Sequence, residues 1–93
     1  MRHTIKTWSE HFQATKSYAK NFEVIKDQAN LRVGDLLILK EQDGDTGELT
    51  GDELRKEVTY ILRDSQFCKE GMALVGIKDL EVGKSYSPIG FRR

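Results

Sequence analysis

The chain has 93 residues, 38% hydrophobic and 32% charged. That is enough for one domain with one small core, and too apolar for a disordered segment. Lys plus Arg balances Asp plus Glu at 15 each, and a net charge of zero argues against a nonspecific polyanion binder, which carries a basic excess. The longest apolar run, Leu36 to Leu39, is far short of the roughly 20 residues of a membrane span. The first residues contain no apolar signal segment, and Cys68, the single cysteine, cannot form an internal disulfide. A reducing, cytoplasmic setting is therefore expected.

In chain order, Thr4-Ile5-Lys6-Thr7-Trp8 is rich in β-formers and predicts a first strand. Ser9 stands where a helix N-cap belongs and Glu10 suits the first turn, so a helix is expected over 9–17, with Phe12, Thr15 and Ala19 as its semi-apolar stripe. Phe22-Glu23-Val24-Ile25 reads as a strand with Phe22 and Val24 on one face and Glu23 and Ile25 on the other. Residues 26–32 are polar and read as a loop. Val33-Gly34-Asp35 turns into Leu36-Leu37-Ile38-Leu39-Lys40, apolar on both faces and so a central strand. Residues 43–47 are dense in turn formers, and Leu49-Thr50-Gly51 extends the far arm of that turn. Residues 57–63 form the next strand, with Val58, Tyr60 and Leu62 on one face. Residues 64–71 are a polar connection, and residues 72–77 are the last strand. The domain is expected over 1–78, with an irregular tail at 79–93. Several short strands and one early helix suggest a small, mostly antiparallel α+β barrel of about five strands. The lack of a βαβ rhythm excludes a doubly wound nucleotide fold.

Charge is unevenly placed. Residues 1–33 hold six basic residues against three acids, and residues 41–57 hold seven acids against Arg55 and Lys56. A neutral molecule can thus present a local basic surface beside an acidic arm. No metal is expected. His3, His11 and Cys68 lack zinc-ligand spacing, and the Asp43-x-Asp45 start of a calcium loop fails at Glu48 and Leu54, where glycine and glutamate belong. Cys68 lacks a histidine partner in sequence, and no phosphate-binding or nucleophile-elbow motif is present.

His3, Lys6-Thr7-Trp8, Phe12, the segment Lys20 to Lys26, Val33-Gly34-Asp35, Thr50-Gly51, Val58 to Leu62 and Met72 to Ile77 follow one another in an order that resembles the ASCH domain, a branch of the PUA-like superfamily. The likeness is nearest to small ASCH-like proteins of bacteria and their phages. It implies a PUA-like barrel with an N-terminal helix, binding RNA or a nucleotide in a cleft beside it without a cofactor. On the usual ASCH signature, G-x-K-x-x-E-x-R, the glycine position is Tyr18, the lysine Lys20, the glutamate Glu23 and the arginine Ile25. Two positions therefore depart: Tyr18 reshapes the loop, and Ile25 removes a guanidinium. Lys26, one residue on, belongs to the opposite face of the strand.

The resemblance implies a site in which Lys20 gives a point charge to a phosphate, Glu23 accepts from a base amino group, and Trp8 or Tyr18 stacks on an unpaired base, worth about 1–3 kcal/mol. His3 is either a structural hydrogen-bonder or a cleft residue. Three functions follow as expectations. The first is a non-catalytic module for single-stranded RNA or a nucleotide, with His3, Trp8, Tyr18, Lys20, Glu23 and Lys26 as candidate contacts. The second is a phage-type interaction protein that grips a host protein partly through the acidic arm at 41–57. The third is an amidohydrolase acting on acetylated cytidine. ASCH-like hydrolases carry threonine three residues after the lysine, where this chain has Glu23.

Overall fold

The computed structural model describes residues 1–27, 30–64 and 66–80. The elements are β1 (Arg2–Trp8), α1 (Ser9–Lys16), β2 (Phe22–Lys26), β3 (Leu36–Gln42), β4 (Leu49–Leu62) and β5 (Met72–Asp79). The strands form one mixed sheet in the order β1-β3-β4-β5-β2, curled into a half-barrel. β1 runs parallel to β3, and the other neighbours are antiparallel. β1 and β2 are the two edges, and among the described residues no ladder joins them, so the barrel expected from sequence stays open along that seam.

Strand alternation sorts the residues onto two faces. In β2, Glu23 and Ile25 are buried while Phe22, Val24 and Lys26 are exposed, as the spacing predicts. β3 lies between β1 and β4, and Leu37, Ile38 and Leu39 are all buried, which explains its unbroken apolar run. The core gathers Phe12 from α1, Ile25, Leu37, Leu39, Val58, Ala73, Val75 and Ile77 from four strands, and Leu31. Burying each large side chain stabilises the fold by about 1.5–3 kcal/mol. Helix α1 is too short to persist alone. It is held by Phe12 and by packing on β1 and β3.

Several local expectations change. Trp8, not Ser9, takes the N-cap position and makes no side-chain cap. The Ser9 hydroxyl instead donates to Glu41 Oε2 at 2.6 Å. Ala19 lies beyond the helix and is exposed, so the stripe ends at Thr15. Leu31 is 3% exposed, a core residue inside the polar loop. The arm at 49–51 and the strand at 57–63 are one continuous strand of 14 residues. Tyr60 does not share the face of Val58. A bulge between Val58 and Tyr60 adds a residue and reverses the alternation, so Tyr60 is exposed and Ile61 packs on the core. Opposite the bulge stands Gly76, where a Cβ would sit 2.8 Å from Thr59 Oγ1. Asp79 closes β5, and the rest of the expected tail, residues 81–93, lies outside the described residues. No helix among the described residues is long and apolar enough to cross a membrane.

Two buried carboxylates tie the elements together. Asp35 accepts from the Arg32 backbone N–H at 3.0 Å and faces His3 Nε2 at 2.8 Å and the Met1 amine at 3.2 Å. Glu41 accepts from Ser9, from Gln13 at 3.0 Å and from Thr50 at 2.7 Å. The His3 contact holds the Asp35 carboxyl down at about 2, and the Ser9, Gln13 and Thr50 donors hold Glu41 at about 2. Because both are lowered from the usual range of about 4, the unfolded chain binds more protons between about pH 2 and 4. The stabilisation is complete above that window and is lost as pH falls through it. The double variant Asp35→Asn, Glu41→Gln should therefore show a flatter dependence of the urea midpoint on pH between about 2 and 4. An unchanged slope would contradict these assignments.

Candidate functional site

The open seam between β1 and β2 is a groove of about 800 Å³. β1 lines one wall with Ile5, Lys6, Thr7 and Trp8, and β2 lines the other with Phe22 to Lys26. His11 of α1, Lys20 and Met72 of β5 complete the lining. The groove exists because β3 and β4 pair β1 to one side of the sheet while β5 takes β2 to the other. Two curled edges then face each other with side chains, rather than a hydrogen-bonded ladder, between them.

The best-defined part of the wall is a three-residue network. Helix α1 ends at Lys16, and the chain reverses through Tyr18 at φ +67°. The turn is held by the Lys20 N–H donating to the Ala14 carbonyl at 3.0 Å. This reversal brings the Lys20 ammonium back over β2. Lys20 Nζ donates to Glu23 Oε2 at 2.7 Å, Thr15 Oγ1 at 3.1 Å and the Phe22 carbonyl at 2.8 Å. The Thr15 hydroxyl in turn donates to Glu23 Oε2 at 3.0 Å. All three ammonium protons thus have acceptors, and Lys20 is a fixed cation. Glu23 Oε1 has no hydrogen bond among the described residues.

Lys20 and Glu23 neutralise each other, so the free positive charge of the groove comes from Lys6 and Lys26. Both are exposed and neither forms an ion pair among the described residues. Two aromatic side chains flank the opening: Trp8 is 50% exposed on β1 and Phe22 is 42% exposed on β2. Lys20 Nζ lies 5.3 Å from the Phe22 ring centre, a cation–π contact that helps hold the ring. Ile5, Ile25 and Met72 add apolar lining. Thr7 is buried at 5% exposure, and its hydroxyl has no hydrogen-bond partner among the described residues.

Of the residues singled out from sequence, Trp8, Lys20, Glu23 and Lys26 meet at this groove. His3 and Tyr18 do not line it. His3 is buried against Asp35. The Tyr18 hydroxyl donates to Asp79, and Lys56 Nζ lies 4.8 Å from the Tyr18 ring centre. Asp79 also accepts from Lys56 at 2.5 Å. The Lys56 and Tyr18 hydrogen bonds lower the Asp79 carboxyl, and the Asp79 contact raises the Tyr18 phenol. Tyr18 thus shapes the turn that carries Lys20 rather than the ligand wall. Lys26 is on the outer face, as strand alternation requires, and reaches the groove because β2 is an edge. Lys6, Thr7, His11 and Phe22 also line the groove and were not singled out. The basic excess over residues 1–33 was the one signal pointing toward Lys6.

The acidic arm is exposed at Asp45, Glu48, Asp52 and Glu53 but not throughout. Glu41 is buried, and Glu53 pairs with Arg55 at 3.2 Å and Lys40 at 3.7 Å. Its turn is built on Asp43 Oδ1, which accepts from the backbone N–H groups of Asp45 and Thr46 at 2.8 and 3.0 Å. Among the described residues no group of His, Cys, Asp or Glu is arranged to hold a metal ion. Cys68 is half-buried and donates to the Leu62 carbonyl at 3.3 Å.

Chemically, the groove offers apolar lining, aromatic rims, two exposed cations, one anchored carboxylate with a spare oxygen and, among the described residues, one unpartnered hydroxyl. Residues 2–77 match the family described as Domain of unknown function (DUF3850), and the chain belongs to that family. No curated protein matches the chain.

Proposed function

We propose that this DUF3850 chain is a non-catalytic binding module that takes an unpaired base of single-stranded RNA, or a nucleotide, into the groove between β1 and β2. The observation that carries the reading is the convergence of two free lysines, Lys6 and Lys26, with exposed Trp8 and Phe22 around an apolar slot that contains an anchored carboxylate. Aromatic faces stack on bases without regard to sequence, cations hold the phosphates, and a carboxylate reads amino groups. The acidic hairpin between β3 and β4 follows the register row Trp8–Gln42–Leu49. Phosphate is therefore disfavoured beyond the Trp8 end and belongs near Lys6 and Lys26.

A PUA-like, ASCH-type ancestry fits the same features. The half-barrel carries an early helix after its first strand, and Lys20 and Glu23 are joined at the groove. Tyr18, at the signature's glycine position, has the left-handed backbone that glycine adopts most easily. A binding role is favoured over hydrolysis because Lys20 Nζ is already engaged by three acceptors, and because Thr15 is 1% exposed with its hydroxyl committed to Glu23 and Lys20.

The test is titration of fluorescent single-stranded RNA at low salt. With two phosphate contacts, the slope of log affinity against log salt should be about −1.4, so affinity falls roughly sevenfold between 50 and 200 mM salt. A folded protein that binds neither RNA nor nucleotide at low salt would exclude the reading.

A further inference from the structure

Two residues that line the groove each carry a polar atom with no partner among the described residues. Glu23 Oε1 has no partner, while Oε2 is fixed by Lys20 and Thr15. Thr7 Oγ1 is fully buried and has no partner among the described residues. Glu23 comes from β2 and Thr7 from β1, each from a buried position of its strand, so the two belong to opposite walls of one groove. Buried polar groups are nearly always paired, so the Thr7 hydroxyl calls for a partner, while Glu23 Oε1 is left open to one at the groove. Ligand contact requires the Thr7 hydroxyl to turn about χ1 into another staggered rotamer.

We infer that the groove selects guanine, with Glu23 Oε1 accepting from the ring N1–H and the 2-amino group and the Thr7 hydroxyl donating to O6. This rests on the nucleotide-binding reading above and narrows it to one base. The carboxylate is an acceptor only, held in place by a lysine, and it demands donors. Guanine alone among the common bases presents two adjacent donors beside an acceptor on its pairing edge. Cytosine and adenine each set a ring-nitrogen acceptor next to their amino group, which repels the carboxylate. Uracil offers a single donor. The ligand is therefore a guanylate, either free or within a single strand.

The experiment is calorimetric titration at low salt with GMP, IMP, AMP, CMP and UMP, and with an oligouridylate hexamer carrying or lacking one guanosine. GMP should bind about tenfold or more tighter than AMP or CMP, with IMP, which lacks the 2-amino group, in between. The guanosine-bearing hexamer should outbind the plain one. A hexamer tighter than GMP identifies the strand as the ligand, and equal affinities identify the free nucleotide. Glu23→Gln should abolish the preference. Thr7→Val should lower GMP affinity severalfold while its melting temperature stays level or rises, because it removes an unpaired buried hydroxyl and nothing else. Equal binding of all five nucleotides, or a GMP preference that survives both substitutions, overturns the guanine assignment and leaves the binding module standing. No binding by any nucleotide or oligomer overturns both.

Discussion

Lys20→Met should destabilise the domain by about 1–3 kcal/mol, the cost of leaving a largely buried acceptor without its charged donor. Glu23 is 5% exposed, and its Oε2 would keep one neutral donor, Thr15, in place of an ammonium 2.7 Å away. The lysine also bridges the end of α1 to the first residue of β2 through the Phe22 carbonyl, so the helix loses an anchor as well as the carboxylate losing a charge. The double variant Lys20→Met, Glu23→Leu should recover most of the loss, since replacing both members of a buried pair by apolar groups is close to neutral. Urea unfolding of the two variants measures this. A loss below about 1 kcal/mol for the single variant would mean the pair behaves as a surface salt bridge, and the groove wall would then not be anchored as described.

The second large effect concerns binding. Reversing both free cations, Lys6→Glu and Lys26→Glu, should lower affinity for single-stranded RNA about a hundredfold at low salt, counting about tenfold for each charge-assisted contact. The salt dependence should flatten at the same time, because fewer counterions are released. Stability should change by no more than about 0.5 kcal/mol, since both side chains are exposed surface positions. Arg55→Glu, which lies outside the groove and is paired with Glu53, should leave binding within about twofold. Equal losses for Arg55 and the two lysines would point to a general electrostatic surface instead of a groove.

Much of the scaffold was legible from residue order. The unbroken run at Leu36 to Leu39 marked the strand covered on both sides, because only burial on two faces removes the need for alternation. The alternation of Phe22 to Lys26 set Glu23 on the face of Ile25, the face that the structure buries. Other features depended on where strands meet. The bulge after Val58 sets Ile61 rather than Tyr60 against the core, and it is determined by pairing with Gly76, which local pattern does not show. Leu31 sits in a polar segment, and only the packing of that loop onto the sheet makes it a core residue.

The site divides in the same way. Lys20 and Glu23 lie three residues apart, and a tight turn into a strand suffices to join them, so local sequence could reveal the pair. Lys6, Thr7 and Phe22 become neighbours of that pair only because β1 and β2 finish as opposite, unpaired edges. Strand order is a property of the whole sheet. Of the two readings of His3, the structural hydrogen-bonder is the one observed: its burial beside Asp35 depends on the parallel pairing of β1 with β3, which aligns His3 with Leu37.

The most direct test is an amide NMR titration of the folded protein with a short single-stranded RNA at low salt. If the seam holds the ligand, the largest shifts fall on Lys6, Thr7, Trp8, Phe22, Glu23 and Lys26, from two strands that share no hydrogen bonds, and move together along one saturation curve. Shifts confined to the hairpin at 43–48, or spread evenly over the lysines of the whole surface, would contradict it.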